Sequence, residues 1–293
     1  MKRWALLVAL TSALSAPAAT HERGFFTGDD WRYDRMSLFG GLAQRILADV
    51  VAIPSGVPWW EAQDWALFGG VVATTVALSV GQPSLDVQFQ SFLQQRILGL
   101  GHFTVWNTAG DLAIWGSIAV ATLGLLAYGL TFDDARATET AALMFEAFVV
   151  AQVYHQLIKL LSGRAGPNRP EFEGQYFGPA GAVKLWPSGT PSGHMASAYA
   201  MLAVLMYTFD QPVLWVGLHL VAVAFGAALI GDGYHWASDV ILGAALGFGV
   251  GRWVAQHRSS RFRNDERGVP VRLNVVPVLL PGQGVGLGVA ATF

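Results

Sequence analysis

Six stretches of almost uninterrupted apolar residues constrain this chain more than any other feature of its sequence. Only 13% of the 293 residues are charged, roughly half the share of about 25% found in soluble domains. Several stretches are near the ~20 residues that a transmembrane helix needs, and two are a little short. We interpret them as the helices of an all-α, six-helix membrane bundle, and a mean hydropathy of +0.41 leaves a soluble bundle with buried helices as the alternative. The stretches are Trp65–Val80, Leu112–Leu130, Ala141–Ile158, Met195–Phe209, Pro212–Ile230 and Ala237–Val254.

The charge balance and the lack of cysteine exclude several classes of function. A formal net charge of −2 provides no long-range attraction to polyanions, so we expect no nucleic-acid partner. Cysteine is absent, which excludes disulfides, thiolate metal sites and cysteine nucleophiles. Membrane lipids are the expected surroundings of the apolar stretches. The sequence does not define an oligomeric state.

Residues 1–18 have the pattern of an export signal. Lys2 and Arg3 precede the apolar stretch Trp4–Leu14, and small residues follow at positions 15–18. This order of basic, apolar and small residues is typical of a cleavable secretory signal. An uncleaved first anchor is the alternative, although so short a stretch spans a ~30 Å hydrocarbon core poorly.

Three further regions follow the signal. Residues 19–64 mix charges with aromatic residues, which favours a polar lead-in at the membrane interface. Residues 65–256 carry the six apolar stretches and form the expected helical domain. Residues 257–293 begin with a basic stretch, and two apolar, strand-like segments about Pro281–Gly284 predict a small C-terminal β-hairpin. Pro83–Leu98, between the first two stretches, predicts an amphipathic helix that lies on the membrane surface.

Polar residues interrupt the apolar sequence in three clusters, each at the end of a predicted helix. Lys159–Pro170 follows the third helix, Pro191–His194 opens the fourth, and Gly231–Asp239 joins the fifth to the sixth. If every stretch crosses the membrane once, all three clusters lie on the same side. We therefore expect them to form one site.

The first two clusters suit an anionic ligand. The turn at Ser192 and Gly193 enters a helix, where backbone N–H groups and the helix dipole favour an anion. Lys159 and Arg164 would add positive charge for phosphate oxygens. The sequence thus predicts phosphate binding by these four residues.

The third cluster supplies a candidate nucleophile. His235 and Asp239 are four residues apart at a helix start, so the carboxylate can hold the imidazole in one tautomer. An oriented imidazole can act as a nucleophile. His194 could then donate a proton to a departing alkoxide. A metal site that adds Asp232 to these residues matches no known zinc spacing, so we expect no metal.

This constellation resembles the type 2 phosphatidic acid phosphatase superfamily, which includes lipid phosphate phosphatases and vanadium haloperoxidases. The family pattern is Lys, six residues and Arg-Pro; then Pro-Ser-Gly-His; then Ser-Arg, five residues, His, three residues and Asp. Lys159, Pro191–His194, His235 and Asp239 match it. The resemblance covers roughly Trp65–Val254. It implies that His235 forms a phosphohistidine, Asp239 orients it, His194 is the acid and Lys159 binds phosphate.

Two arginines of the family pattern are missing in register. Gly166-Pro167 stands where the family has Arg-Pro, and Ala228-Leu229 stands where it has Ser-Arg. Arg164 occupies a position at which many members carry a second arginine. Arg169 could substitute for the first missing arginine if Gly166–Asn168 is an insertion, so we add Arg169 to the expected phosphate-binding residues.

The leading functional hypothesis is a membrane phosphatase that hydrolyses a lipid-linked phosphate monoester or pyrophosphate without a cofactor. One alternative is a catalytically impaired family member that binds lipid phosphate. Another is a vanadate-dependent, haloperoxidase-like enzyme, with vanadate in the place of phosphate.

The expected location is a bacterial-type inner membrane, crossed several times. A cleaved signal followed by six crossings would place the motifs in the cytoplasm. The basic stretch Arg258–Arg267 instead indicates a cytoplasmic C-terminus and motifs outside. We expect the site on the periplasmic, exported face, as the family resemblance implies.

His155 lies one turn before Lys159 and could face the same site, but we favour a buried histidine that is hydrogen-bonded to a neighbouring helix. Glu146 is a functional candidate as an ionisable residue in an apolar stretch, but we favour a pair with a neighbouring polar residue. We expect a structural role for His219 too.

Overall fold

The computed structural model describes residues 41–97, 106–172, 174–184, 189–259, 272–280 and 284–292. The predicted signal, the first part of the lead-in and the basic stretch after position 259 lie outside the described residues. The helices are α1 Leu42–Gly56, α2 Ala62–Ser79, α3 Leu85–Phe92, α4 Trp106–Thr131, α5 Ala135–Ser162, α6 Gly178–Lys184, α7 Gly193–Phe209, α8 Pro212–Gly231 and α9 Ala237–Arg258, and the strands are β1 Arg272–Leu280 and β2 Gly284–Thr292.

The predominantly helical architecture is confirmed, and a helix covers each predicted apolar stretch except for Val80 at the end of the first. These helices are α2, α4, α5, α7, α8 and α9. Among the described residues, α5, α8 and α9 are long and apolar enough to cross a membrane. Large apolar side chains on the outer helices are exposed, as Phe68 on α2 and Val213 on α8 illustrate. Such surfaces suit lipid rather than water, and the chain is an integral membrane protein.

Helices α5, α7 and α9 pack together around a buried apolar cluster at the centre of the bundle. Val150, Val204 and Val254 represent the three helices in this cluster. Small residues let α7 and α9 approach closely: a Cβ atom added to Gly247 would lie 2.2 Å from the carbonyl oxygen of Ala196. Close backbone approach through glycine is a common packing mode of membrane helices. It sets the N-terminus of α7 beside that of α9.

The segment predicted to be an interfacial helix contains α3, followed by a π-helical turn at Leu93–Ile97. Ser84 caps α3, because its hydroxyl accepts a hydrogen bond from the backbone N–H of Val87. Phe89 is exposed, as an interfacial helix requires, whereas Asp86 is buried. One face of α3 therefore packs against the bundle.

At the C-terminus, β1 and β2 form an antiparallel pair. Arg272 lies opposite Thr292, and Leu280 lies opposite Gly284. Valine and leucine make up most of β1 and alternate with glycine in the first part of β2, and β-branched valine suits extended backbone.

Candidate active site

The three polar clusters lie side by side at one end of the helical bundle. The backbone N–H of Ser192, before α7, donates to the carbonyl oxygen of Asp239 in α9 at 2.9 Å. The Ser162 hydroxyl, at the end of α5, donates to the carbonyl oxygen of Thr190 at 2.8 Å. The N–H of Gly189 donates to the carbonyl oxygen of Arg164 at 2.8 Å. These hydrogen bonds tie together three helix ends, namely the C-terminus of α5 and the N-termini of α7 and α9.

His235 is buried, and a backbone group fixes its imidazole. Its Nδ1 lies 3.0 Å from the carbonyl oxygen of Gly189, so Nδ1 carries the hydrogen and Nε2 keeps its lone pair. Burial lowers the pKa of His235 well below 6.5, and the positive charges of Lys159 and His194 lower that pKa further. His235 is therefore a neutral imidazole whose Nε2 can act as a nucleophile.

Asp239 is not the hydrogen-bond partner of His235 that the spacing predicts. Its Oδ2 lies 3.9 Å from Nδ1 of His235 and accepts the backbone N–H of Trp236 at 3.0 Å. The other oxygen, Oδ1, accepts hydrogen bonds from Arg164 and the Thr190 hydroxyl. Because these donors occupy the carboxylate, Gly189 rather than Asp239 sets the tautomer, and Asp239 lies beside the ring without a hydrogen bond to it.

His194 lies next to His235 at the N-terminus of α7. The centroids of the two rings are 5.7 Å apart, with an angle of 68° between their planes. Tyr234 and Phe225 contact the other sides of the His194 ring, with centroid distances of 6.1 and 6.4 Å. Two histidines therefore face a common space, as the motifs predict.

Arg164 is buried in contacts with the protein. Its Nη1 donates to Asp239 Oδ1 at 2.9 Å and to the Ser238 hydroxyl at 2.6 Å. Its Nη2 donates to Asp86 Oδ2 at 2.8 Å, and its Nε donates to the carbonyl oxygen of Gly174 at 3.1 Å. We call Asp86, Arg164, Ser238 and Asp239 the site network. Its contacts engage all three nitrogens of the guanidinium, which differs from the direct phosphate contact expected from sequence.

Asp86 is the residue of this region that sequence reasoning missed. It comes from α3 and is fully buried. Its Oδ2 accepts the Ser238 hydroxyl at 2.5 Å, and its Oδ1 accepts the Ser238 N–H at 2.9 Å, in the first turn of α9. In the sequence, Asp86 is an acidic residue in the first turn of an amphipathic helix. The helix dipole is sufficient to explain an acidic residue at that position. Nothing local to α3 indicates a partner more than seventy positions away.

The other predicted phosphate-binding residues occupy different settings. Lys159 is buried in the last turn of α5, and its charge acts on His235. The Ser192 hydroxyl caps α7 by accepting the N–H of Met195 at 3.4 Å. Gly193 is the first residue of α7, where backbone N–H groups lack helical partners. Arg169 is exposed on the loop after α5, with its backbone N–H bonded to the carbonyl oxygen of Gly166.

The position of one missing family arginine is filled by an apolar side chain. Leu229 is buried in a cluster that includes Leu93 and Met195. Its carbonyl oxygen accepts the N–H groups of Tyr234 and His235, at 3.0 and 3.3 Å, and so shapes the turn between α8 and α9. In the same turn, burial raises the pKa of Asp232 above its usual range. At position 229, this turn therefore lacks the positive charge of the family pattern.

The remaining ionisable residues in the helices include two with clear partners. The Nε of Arg45 donates to Glu146 Oε2 at 2.9 Å. The Tyr199 hydroxyl lies 3.2 Å from Nδ1 of His219. These contacts agree with the expected structural roles of Glu146 and His219.

The comparisons with known proteins agree with the motifs. The model of the PAP2 superfamily matches residues 140–263, which hold most of α5, all of α6 to α9 and all three polar clusters. The resemblance to the type 2 phosphatidic acid phosphatase superfamily is thereby confirmed. Over 82 residues, the chain is 39% identical to a lipid A 1-phosphatase of Porphyromonas gingivalis, in an alignment that covers 25% of this chain and 18% of that protein. The chain thus spans under a fifth of that relative's length.

A solved structure is also similar. It is the crystal structure of the first transmembrane PAP2 type phosphatidylglycerolphosphate phosphatase from Bacillus subtilis. The match covers 76% of this chain and 94% of that chain, with 19% sequence identity and a TM-score of 0.34. A match at this TM-score supports no detail of the site.

Proposed function

We propose that this protein is a membrane phosphatase that removes a phosphoryl group from a lipid phosphate monoester or pyrophosphate. The observation that carries the proposal is the setting of His235: a neutral imidazole held through Nδ1 by Gly189 at 3.0 Å, with His194 beside it. The motif match over residues 140–263 supports the same reaction class.

In the first step, Nε2 of His235 attacks phosphorus and the bond between phosphorus and the lipid oxygen breaks. His194 donates a proton to that oxygen, which leaves as an alcohol or, from a pyrophosphate, as a phosphate. His235 becomes a phosphohistidine whose ring carries a positive charge. Asp239, 3.9 Å from Nδ1, stabilises that charge without taking the proton.

In the second step, water attacks phosphorus and the phosphorus–nitrogen bond breaks. His194, now neutral, accepts a proton from the water. Inorganic phosphate leaves and both histidines return to their first state. Lys159 and the N-terminus of α7 hold the phosphate oxygens, because both supply positive potential at the histidine pair.

Arg164 has an indirect role in this mechanism. Its guanidinium holds Asp239, and through Asp239 the first turn of α9 beside His235. Because the two family arginines are missing, Lys159 and the N-terminus of α7 supply a larger share of the contacts with phosphate. Arg169 could supply a further contact with phosphate, because its side chain is exposed on the loop after α5.

Phosphate release by purified protein tests the proposal. The substrates are a panel of lipid phosphates and lipid pyrophosphates in detergent micelles, and the variants are His235→Ala and His194→Ala. We expect either variant to lose at least about 100-fold in kcat, the scale of general acid–base and nucleophilic roles. The control is His219→Gln, a histidine bonded to Tyr199 outside the site. Turnover by wild type that is no faster than by His235→Ala would contradict the proposal.

The site is proposed to face the exported side of the membrane. The absence of cysteine allows single cysteines to report its sidedness. Glu171→Cys marks the loop after α5 near the site, and Gln211→Cys marks the turn between α7 and α8 at the other end of the bundle. In intact cells, a membrane-impermeant maleimide should label Glu171→Cys and spare Gln211→Cys. The reverse pattern would place the site in the cytoplasm.

A further inference from the structure

His155 is a buried histidine that the mechanism above does not use. It lies in α5, one helical turn before Lys159, and only 4% of its surface is exposed. Within the part of the chain that the structure describes, neither ring nitrogen of His155 has a hydrogen-bond partner. Buried polar side chains are nearly always hydrogen-bonded, so such a group calls for a specific explanation.

The His155 ring faces the proposed phosphate cradle, by which we mean Lys159 and the N-terminus of α7 at Ser192–His194. A Cβ atom added to Gly193 would lie 2.6 Å from both Cε1 and Nε2 of His155, so the ring packs against the first residue of α7. Lys159 and His194 are close enough for their charges to act on His155, and His155 acts on His235. The ring therefore joins the one lysine and the two histidines already placed at the site.

His219 shows what a structural histidine looks like in this bundle. Its Nδ1 lies 3.2 Å from the Tyr199 hydroxyl, and its ring packs against Phe248 and Trp215. His155 has no such partner in the described residues. A ligand with oxygen acceptors, bound at the N-terminus of α7, would supply one.

We propose that His155 is a phosphate ligand whose ring N–H donates a hydrogen bond to a non-bridging oxygen of the phosphoryl group. The inference rests on the proposed function, because it assigns this residue to the same site. It also explains how the site compensates for a missing arginine: Leu229 supplies no donor, whereas His155 reaches the cradle from α5. No proton leaves His155 during the reaction.

Orthovanadate, a phosphate mimic, measures this role directly. Binding to purified full-length protein is followed by the shift in melting temperature and, where turnover is present, by inhibition. His155→Phe keeps a ring and removes both nitrogens, and His155→Gln keeps an N–H donor. We expect the vanadate Kd and the KM to rise roughly 10- to 100-fold in His155→Phe, the range for a hydrogen bond to a charged group. The vanadate Kd and the KM of His155→Gln should lie between those of His155→Phe and wild type.

The matched control is the pair His219→Phe and His219→Gln, which alters a histidine away from the site. These variants should bind vanadate as wild type does. If His155→Phe does not fold, His155→Gln carries the comparison. A merely structural His155 would lower the melting temperature and leave the vanadate Kd and KM unchanged, and that result would overturn the inference.

Failure of the inference can be told apart from failure of the proposed function. Turnover in wild type, with vanadate Kd and KM unaltered in both His155 variants, would overturn the role of His155 and leave the phosphatase in place. Vanadate binding that depends on His155, without turnover in wild type, would support the ligand role and contradict the phosphatase. Wild type that neither binds vanadate nor releases phosphate from any substrate of the panel would overturn both.

Discussion

Two buried networks of arginine and carboxylate groups lie at different ends of the bundle, and the contrast between them separates catalysis from stability. The site network joins α3 to the loop after α5 and the first turn of α9 through Arg164. The second, which we call the distal network, consists of Arg45, Asp49, Glu146 and Arg258. Arg258 is nineteen residues beyond Asp239 in α9, which is about 30 Å along a helix.

The distal network ties the amphipathic helix α1 to the bundle. Arg258 donates to Asp49 Oδ1 from Nη2 at 2.5 Å and from Nε at 3.0 Å. Arg45 pairs with Glu146 Oε2 at 2.9 Å, and Nε of Arg258 lies 3.7 Å from Glu146 Oε1. These contacts join α1, α5 and α9 to one another, far from the paired histidines.

The two networks differ in what their carboxylates touch. Asp239 binds Arg164 and also sets the start of α9 beside His235. Asp49 and Glu146 bind arginines from neighbouring helices. Equal changes to the two networks should therefore have unequal effects on turnover.

Arg164→Met should have the largest effect. Removal of the guanidinium leaves Asp86 and Asp239 buried without their shared cation, a change that typically costs about 3–5 kcal/mol. The start of α9 would shift, and we expect kcat/KM to fall by roughly 1000-fold, with a lower melting temperature. Arg252→Met is the control, because Arg252 lies on the exposed side of α9. Turnover within threefold of wild type would show that the site network does not position His235.

Gly247→Ala tests the same alignment without touching a charged residue. The new Cβ would lie 2.2 Å from the carbonyl oxygen of Ala196, so α7 and α9 would have to separate. Displacements near 1 Å at a catalytic site can cost about 100-fold in rate, and overpacking typically costs about 1–3 kcal/mol. Gly249→Ala is the matched control, because nothing lies within 4 Å of its added Cβ. Equal kcat values in the two variants would contradict the prediction.

Asp86→Asn should have a smaller effect than either change. The amide keeps the size of the side chain and weakens its bonds to Arg164 and Ser238, whereas Asp239 still holds the guanidinium. A hydrogen bond to a charged group contributes about 1.5–3 kcal/mol, so we expect kcat to fall about tenfold with little change in KM. Glu61→Gln, an exposed carboxylate at the start of α2, is the control. Unchanged kcat in Asp86→Asn would place α3 outside the machinery that orients His235.

The sequence predicted the helices well, for a physical reason. An apolar stretch near 20 residues long can satisfy its backbone in lipid through helical hydrogen bonds, so its length and composition nearly define its structure. Apart from Val80 at the end of the first, each predicted stretch lies within a helix. The convergence of Lys159, His194 and His235 also followed from sequence. When successive helices each cross the membrane once, the end of one helix and the start of the next lie on the same side.

The contacts of the site could not be predicted in the same way. The i, i+4 spacing of His235 and Asp239 indicates a direct bond, but Gly189 is the partner, and a carbonyl group gives no sequence signal. The same limit applies to Asp86 and Arg164. Their partners lie on other helices, and tertiary packing rather than local pattern decides which donors a carboxylate meets.

The pH dependence of turnover tests whether His235 is a neutral imidazole in the folded protein. Because burial lowers the pKa of His235 well below 6.5, the imidazole stays neutral in the folded protein as the pH falls through that value. The acid limb of kcat/KM should therefore lie below pH 6.5. In the unfolded chain, His235 binds a proton as the pH falls below 6.5, whereas in the folded protein it does so only at its lower pKa. The contribution of His235 to the free energy of unfolding is therefore complete above pH 6.5 and is lost as the pH falls from 6.5 to that lower pKa. A midpoint at or above pH 6.5 would contradict a neutral, buried nucleophile.

Arg258→Met is the counterpart of Arg164→Met in the distal network and should have the smallest effect on turnover. It leaves Asp49 and Glu146 buried beside each other with only Arg45 to compensate them, which should cost about 3 kcal/mol of unfolding free energy. The kcat per folded molecule should stay within about twofold of wild type, because α9 is anchored at its other end by Asp239. Denaturation in detergent, with turnover normalised to the folded fraction, measures both quantities. A loss of kcat as large as that of Arg164→Met would mean that α9 transmits strain along its whole length, and that the two networks act as one.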